Sequence, residues 1–355
     1  MSSTRRAAGW PVSGDHLDPT VQPIAAIDLG TNNCRLLVAR PEGDGFVVVD
    51  SFSRIVRLGE GMDRTGELSE AAIQRAISAL RVCARIMSRH AVAEARCVAT
   101  EACRRAANGA RFVARARLAS GLTLEILDHE EEARLALLGC LALADRSYEQ
   151  FLMMDVGGGS TELAWIGRAG AEGHRMISFS LPLGVVTLAE RYGADPDDAA
   201  YLAMQQAIWR ALDATPLASQ LDTHLRPERL QAIGTSGTVT TLAAMHLHLQ
   251  RYDRRLIDGI WLPPEALPQA ARQLRSMNTP ARALHPCIGA GRADLVVAGC
   301  AIVEALFQRF PFHALRVADR GLREGILATL IGERPDTALD RQLADVPPAP
   351  GGLVG

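Results

Sequence analysis

Two stretches of this chain share one local pattern, and the duplication narrows the folds open to it. In the second, an apolar run from Phe151 to Met154 ends on Asp155. Val156, Gly157, Gly158, Gly159, Ser160, Thr161 and Glu162 follow, and a second apolar run, Leu163 to Ile166, resumes. In the first, Ile24 to Ile27 end on Asp28, a turn holds Gly30, Thr31, Asn32 and Asn33, and Leu36 to Ala39 continue. Each reads as strand, glycine-containing turn, strand. Glycine lets backbone N–H groups approach phosphate oxygens, hydroxyls add donors, and an aspartate at the turn mouth can hold a hydrated cation. A lone Gly-Gly-Gly-Ser is also a common flexible turn. Two such units in one chain predict two similar lobes facing each other across a cleft, gripping phosphates from both sides.

The 355 residues suffice for two domains or one large one, and 48% hydrophobic with 22% charged residues is ordinary globular material. A net charge of −2 gives no global basic field, so a nucleic acid duplex is not an expected partner. All 38 basic residues are arginine. A genomic compositional bias explains that most simply, and it excludes a Walker-A loop, a protein-kinase site and a Schiff-base enzyme, all of which need lysine. Cys34, Cys83, Cys97, Cys103, Cys140, Cys287 and Cys300 are scattered and form no C-x-x-C pair. They point to reduced thiols in a cytoplasmic protein, not to a disulfide framework or a zinc site. Met1 to Thr20 lacks the apolar core of a signal peptide, and Leu135–Ala144 and Leu295–Val303 are too short to span a bilayer. No membrane partner is expected.

Hydrophobic periodicity and turn chemistry give an α/β order. Three strand-like runs between Ile24 and Phe52 form a meander. A long helix follows, with Ser69 as N-cap and Ile73, Ile77, Leu80 and Ala84 at helical spacing. A strand at Ala95–Ala99, a helix at Ala110–Ala119, a strand at Leu122–Leu127 and a helix through Leu135, Leu138 and Leu141 complete a first module. The pattern then restarts: strands at Phe151–Asp155, Leu163–Ile166 and Arg175–Ser180, helices at Gly184–Tyr192 and Pro196–Ala211, a strand at Leu230–Ile233, a helix at Asp294–Phe307, a strand at Leu315–Ala318 and a last helix opened by Gly321. Residues 1–22 and 333–355 read as loose tails.

Eight stretches in order resemble the exopolyphosphatase/guanosine pentaphosphate phosphohydrolase family of the actin-like, sugar-kinase-like ATPase superfamily. They are Asp28–Asn32, Arg57–Gly61, Thr100–Arg104, Glu131–Arg134, Asp155–Leu163, Gly234–Thr238, Arg292–Asp294 and Gly321–Gly325. The resemblance implies two ribonuclease-H-like lobes around a central interdomain cleft: lobe I over 23–128, lobe II over 129–320, and helix 321–332 packing back on lobe I. It also implies removal of terminal phosphate from inorganic polyphosphate or guanosine pentaphosphate with Mg²⁺, and it allows a homodimer. Asn33 replaces the family's usual serine, exchanging a hydroxyl donor for an amide. The family's longer members carry a C-terminal helical region that this chain replaces with a tail.

Hydrolysis of a terminal phosphoanhydride needs a positioned water, an acceptor for its proton and charge neutralisation. By resemblance Glu132 is the general base, and it also stands where a strand meets a helix between the two turns. Glu130 and Glu131 are expected to raise its basicity; alternatively the three acids decorate a helix N-terminus. Asp28 and Asp155 are the candidate Mg²⁺ ligands. Glu162 either orients metal-bound water or ends the hairpin. Arg104 matches the family's phosphate-binding arginine. Thr31, Asn32, Asn33 and Gly157 to Thr161 are the candidate phosphate donors. Arg292, Asp294, Arg323 and Glu324 are expected to form a salt-bridged hinge. Polyphosphate is the favoured substrate, since no stretch reads as a guanine pocket; a small-molecule kinase and a non-catalytic phosphate sensor are the competing classes.

Overall fold

Both glycine turns join an antiparallel pair of strands that is buried on its two faces, and each pair lies in the interior of its own sheet. The computed structural model describes residues 21–43, 45–145, 147–168, 174–310 and 312–332. The expected tails lie outside them, apart from residues 21 and 22. Strands β1 (Ile24–Leu29), β2 (Asn33–Glu42), β3 (Gly45–Ile55), β4 (Glu94–Ala99) and β5 (Glu125–Ile126) form a sheet of order β3-β2-β1-β4-β5. Strands β6 (Gln150–Val156), β7 (Thr161–Arg168), β8 (His174–Leu181), β9 (Leu230–Thr235), β10 (Trp261–Leu262) and β11 (Leu315–Ala318) form a second, of order β10-β11-β9-β6-β7-β8. The duplication extends to topology. β1 is antiparallel to β2 and parallel to β4, and β6 is antiparallel to β7 and parallel to β9.

Alternation along the central strands feeds two cores in each sheet. Ala25, Ile27 and Leu29 pack under helix Glu70–Arg89, while Ile24 and Ala26 face helix Leu322–Leu330. Leu152 and Met154 join a large core with helices Asp198–Asp213 and Val296–Arg309, and Phe151 and Met153 face helix His129–Cys140. Helices His129–Cys140 and Leu322–Leu330 therefore lie between the two sheets and cross in backbone contact. A Cβ on Gly325 would fall 1.8 Å from the Leu135 carbonyl oxygen, and one on Gly139 would fall 2.0 Å from that of Gly321. Only glycine permits that approach.

Ser69 caps its helix as expected, accepting from the Ala72 N–H. The strand expected over Leu122–Leu127 shrinks to Glu125–Ile126, because Leu124 and Leu127 turn into different cores and only two residues pair with β4. Helix Pro216–His224 and strand β10 are elements the sequence reading did not contain. No helix among the described residues is long and apolar enough to cross a membrane.

Candidate active site

The two glycine turns touch. A Cβ on Gly158 would lie 3.0 Å from Thr31 Cβ and 3.2 Å from the Asn32 nitrogen, and one on Gly159 would lie 2.7 Å from Thr31 Oγ1. The first turn is braced from behind: the Asn32 carbonyl accepts from Val56 N (2.9 Å) and Arg57 N (3.0 Å), and the Thr31 carbonyl from Gly59 N (3.0 Å). Between the turns lies a cavity of about 460 Å³, lined by Asp28, Gly30 to Asn33, Arg35, Glu101, Glu132, Asp155, Gly157 to Ser160, Glu162, Ser236 to Thr238, Tyr252, Arg292 and Arg323. Asp28, Glu132 and Asp155 therefore open onto one space, as the sequence reading requires.

Strand register sets which charges meet across each hairpin. Asp28 pairs with Arg35 on β2, whereas Asp155 pairs with Glu162 on β7. Directly opposed residues project to the same face of a sheet. Glu162 is 2% exposed and accepts on Oε1 from Ser160 Oγ (2.5 Å) and Ser180 Oγ (3.0 Å). Burial pushes its pKa up to about 7, against the pull of those hydroxyls. Burial and the neighbouring Glu162 push Asp155 up to about 8. Burial also raises Asp28, but Arg35 opposes the shift.

Glu132 sits in the first turn of helix His129–Cys140, whose start is fixed by Asp128 accepting from Glu131 N at 2.8 Å. It is 9% exposed, and its carboxyl is held well above the usual range, first by burial and then by Glu162 across the cleft. The expected contribution of Glu130 and Glu131 is absent from these causes. Glu130 is exposed, and Glu131 points to Arg96 (3.1 Å) and Arg134 (2.6 Å). Burial acts to raise Glu131, yet those arginines hold it below the ordinary range. Successive helical residues face different ways, so sequence neighbours are not electrostatic neighbours here.

Three further expectations change. Arg104 does not line the cavity: its guanidinium is shared among Glu132 Oε2 (3.0 Å), Glu101 Oε2 (2.7 Å) and the Leu127 carbonyl (2.6 Å). Thr161 is fully buried and its hydroxyl donates to the Leu183 carbonyl at 2.7 Å, because strand alternation sends it away from the face carrying Glu162. Of the expected hinge, Arg323 does pair with Glu324 at 3.9 Å, alongside Arg254 at 3.3 Å, whereas Asp294 pairs with Arg57 at 2.8 Å and not with Arg292.

The sequence reading assigned no role to Arg35, Glu101 or His129 and no chemistry to Arg292. Arg35 and Arg292 line the cavity and form no salt bridge among the described residues; burial and Arg35 hold the Arg292 pKa below its usual value. The signal for Arg35 was present: it follows Asp28 by the interval that separates Glu162 from Asp155. Four carboxylates (Asp28, Glu132, Asp155, Glu162) line the same cavity. Burial raises the pKa of all four, and Glu162 adds to the rise of Glu132 and Asp155; a divalent cation would relieve that, and their oxygens are the donors Mg²⁺ takes. Ligand atoms of His129, Glu132 and Glu162 also lie within 4.8 Å of one another.

Comparison with known proteins agrees with this geometry. The sequence profile of the Ppx/GppA phosphatase family matches residues 37–333. A Mycobacterium tuberculosis protein named Exopolyphosphatase 2 is 31% identical over 328 residues, spanning 87% of this chain and 98% of the relative. Among solved structures, an exopolyphosphatase from Cytophaga hutchinsonii superposes with a TM-score of 0.79 at 26% identity, covering 88% of this chain and 99% of that one. An Aquifex aeolicus member of the Ppx/GppA family gives 0.71 at 27%, covering 88% and 98%. The paired sheets are those of the actin-like ATPase fold. With the fold, the shared cavity and these likenesses in agreement, the chain belongs to the Ppx/GppA phosphatase family and is a phosphoanhydride hydrolase.

Proposed function

We propose that this chain releases terminal phosphate from inorganic polyphosphate, with Glu132 as the base that takes a proton from the attacking water. The observation that carries this is the position of Glu132: buried, lining the cavity between the two glycine turns, with one carboxylate oxygen engaged by Arg104. A carboxylate whose pKa is raised by burial and a like charge is the stronger base once ionised. Arg104 fixes its rotamer. Gly157 to Gly159 and Thr31 to Asn33 supply N–H groups and short polar side chains to the phosphate oxygens. Ser160 acts at one remove, through its hydrogen bond to Glu162. Arg35 and Arg292 offer guanidinium charge to phosphates further along the chain.

Asp155 and Glu162 are the residues we assign to Mg²⁺, with Asp28 reaching it through water. The bound ion would neutralise charge on the phosphoryl oxygens. Asp28 is the weaker candidate of the three, since Arg35 already opposes its charge.

Phosphate release with Mg²⁺ from polyphosphates of several lengths and from guanosine pentaphosphate tests the reading. We expect the higher kcat/KM on polyphosphate. Glu132→Gln, which keeps an acceptor for Arg104, should lower kcat by roughly 10²–10⁴-fold. A loss below tenfold would remove Glu132 from the base role. A higher kcat/KM on guanosine pentaphosphate would replace the substrate and leave the site intact.

A further inference from the structure

We infer that the polyphosphate chain leaves the reacting end across the first sheet, over Arg35 and out past Ser53 at the β3 edge with Arg292 on the opposite wall, so that Ser53 bears on the preference for chain length. The inference rests on the proposal above that polyphosphate is the substrate.

Strand pairing lays out the route. Asp28 on β1 is opposite Arg35 on β2, and Arg35 is in turn opposite Ser53 on β3. Opposed residues project to the same face, so the three form a row across the sheet. β3 is the outermost strand, and two strand spacings put Ser53 about 10 Å from Asp28. All three residues line the cavity, which therefore continues from the first glycine turn to the edge of the sheet, where Ser53 is exposed. Ile55, on the same face of β3 and nearer the turn, closes against the other wall of the cleft: a Cβ on Gly291 would lie 1.9 Å from Ile55 Cδ1. The face beyond that contact, at Ser53, is open.

Charge points the same way independently. Five arginines line the cavity: Arg35, Arg254, Arg292, Arg320 and Arg323. Three are already engaged, Arg254 with Asp319 and Glu324, Arg320 with Asp258, and Arg323 with Glu324. Arg35 and Arg292 form no salt bridge among the described residues, and they lie close enough for Arg35 to lower the Arg292 pKa. A phosphate chain running between these two guanidinium groups would relieve their repulsion and gain charge-assisted hydrogen bonds from both. Beyond them, the Ser53 hydroxyl is a further donor on the way out.

The test measures kcat, and KM per chain, on tripolyphosphate (too short to span the row) and on polyphosphates of increasing length. Wild type, Ser53→Asp and Arg54→Ser are compared. Both substitutions shift the charge by one unit in the same direction, at adjacent residues on opposite faces of β3. Arg54 lies over the Phe52 ring, 5.2 Å from its centroid, and does not line the cavity. Wild-type KM should fall as the chain lengthens beyond tripolyphosphate. Ser53→Asp should raise KM on long chains about fivefold, the size of an exposed charge pair, with tripolyphosphate within about twofold and kcat unchanged. Arg54→Ser should keep the wild-type length profile. A wild-type KM independent of length, a Ser53→Asp effect that is absent or equal at every length, or the same effect in Arg54→Ser would overturn the route and leave the polyphosphate reading intact. Wild type that turns over no polyphosphate of any length would overturn both.

Discussion

The β1–β2 and β6–β7 hairpins share topology, register and a glycine turn, yet they carry opposite charge pairs. Where the first sets Asp28 against Arg35, the second sets Asp155 against Glu162. One residue type at one register position separates a nearly neutralised turn from a doubly acidic one. Burial acts on both aspartates, so the cross-strand partner is what differs. Arg35 opposes the rise of Asp28, while Glu162 helps to carry Asp155 up to about 8. A duplicated motif has in this way become two halves of one site. In the proposed reading the second half holds the cation, and the first, with Arg292 nearby, holds phosphate.

Exchanging charge for amide on each side should break or sharpen that division. Glu162→Gln removes a proposed cation ligand and the acidic partner of Asp155. It should lower kcat by roughly 10²–10³-fold, the range for losing electrostatic stabilisation of a transition state. Arg35→Gln removes one charge-assisted contact to the chain, worth about 1.5–3 kcal/mol. It should raise KM by about ten- to a hundredfold while leaving kcat within a few-fold. Steady-state kinetics on one polyphosphate length checks both. If Arg35→Gln lost kcat and Glu162→Gln lost only affinity, the assignment of the two hairpins would be inverted.

The next largest effect concerns pH. Asp155 and Glu162 have folded pKa values of about 8 and about 7, above the ordinary values of 3.8 and 4.5, and Glu132 is raised as well. Unfolded carboxylates ionise first as pH rises, so the unfolded state gains relative to the folded state between about pH 4 and pH 8. Metal-free protein should therefore lose several kcal/mol of stability across that window, all of it retained below pH 4 as far as these groups are concerned. Urea melts in EDTA at pH 5, 6.5 and 8 measure the slope. Saturating Mg²⁺ should flatten it, and Glu162→Gln should reduce it by lowering Asp155. A slope unchanged in Glu162→Gln would mean that the acidic pair does not control the titration.

How far the sequence carried this site follows the same physics. Asp28 and Asp155 were legible because each ends a strand, a position that periodicity locates, whereas the family resemblance singled out Glu132 among the three acids that open a helix. Both hairpins were legible because apolar runs flank a glycine turn. The direction of a side chain was harder to read. Thr161 and Glu162 are adjacent, and strand parity alone decides that the hydroxyl enters the core while the carboxylate faces the cleft. Partners from distant sequence were not legible at all. Glu162 perturbs Glu132 across the cleft, whereas adjacent Glu131 is diverted to Arg96 and Arg134. Helix Pro216–His224, a short segment with Pro216 in its first turn, also went unread.

The smallest expected effect tests whether the first hairpin is merely a positioning element. Arg57 braces its turn through a backbone N–H to Asn32, and its guanidinium reaches Asp294 in a bidentate pair at 2.8 and 3.1 Å. The two side chains are 35% and 28% exposed, so solvent limits the pair to about 1 kcal/mol at most. Arg57 also has φ of 46°, the left-handed region, which costs a non-glycine residue about 1–2 kcal/mol. Arg57→Ala keeps that cost and loses the pair, and should be less stable by up to about 1 kcal/mol. Arg57→Gly loses the pair but relieves the backbone, and should return close to wild type in urea melts. Both variants release one tie between the halves of the cleft, so KM should rise about two- to fivefold with kcat unchanged, as expected for an exposed ion pair. A kcat loss comparable to that of Glu162→Gln would show instead that the acidic hairpin works only when its arginine-bearing counterpart is held in register against it.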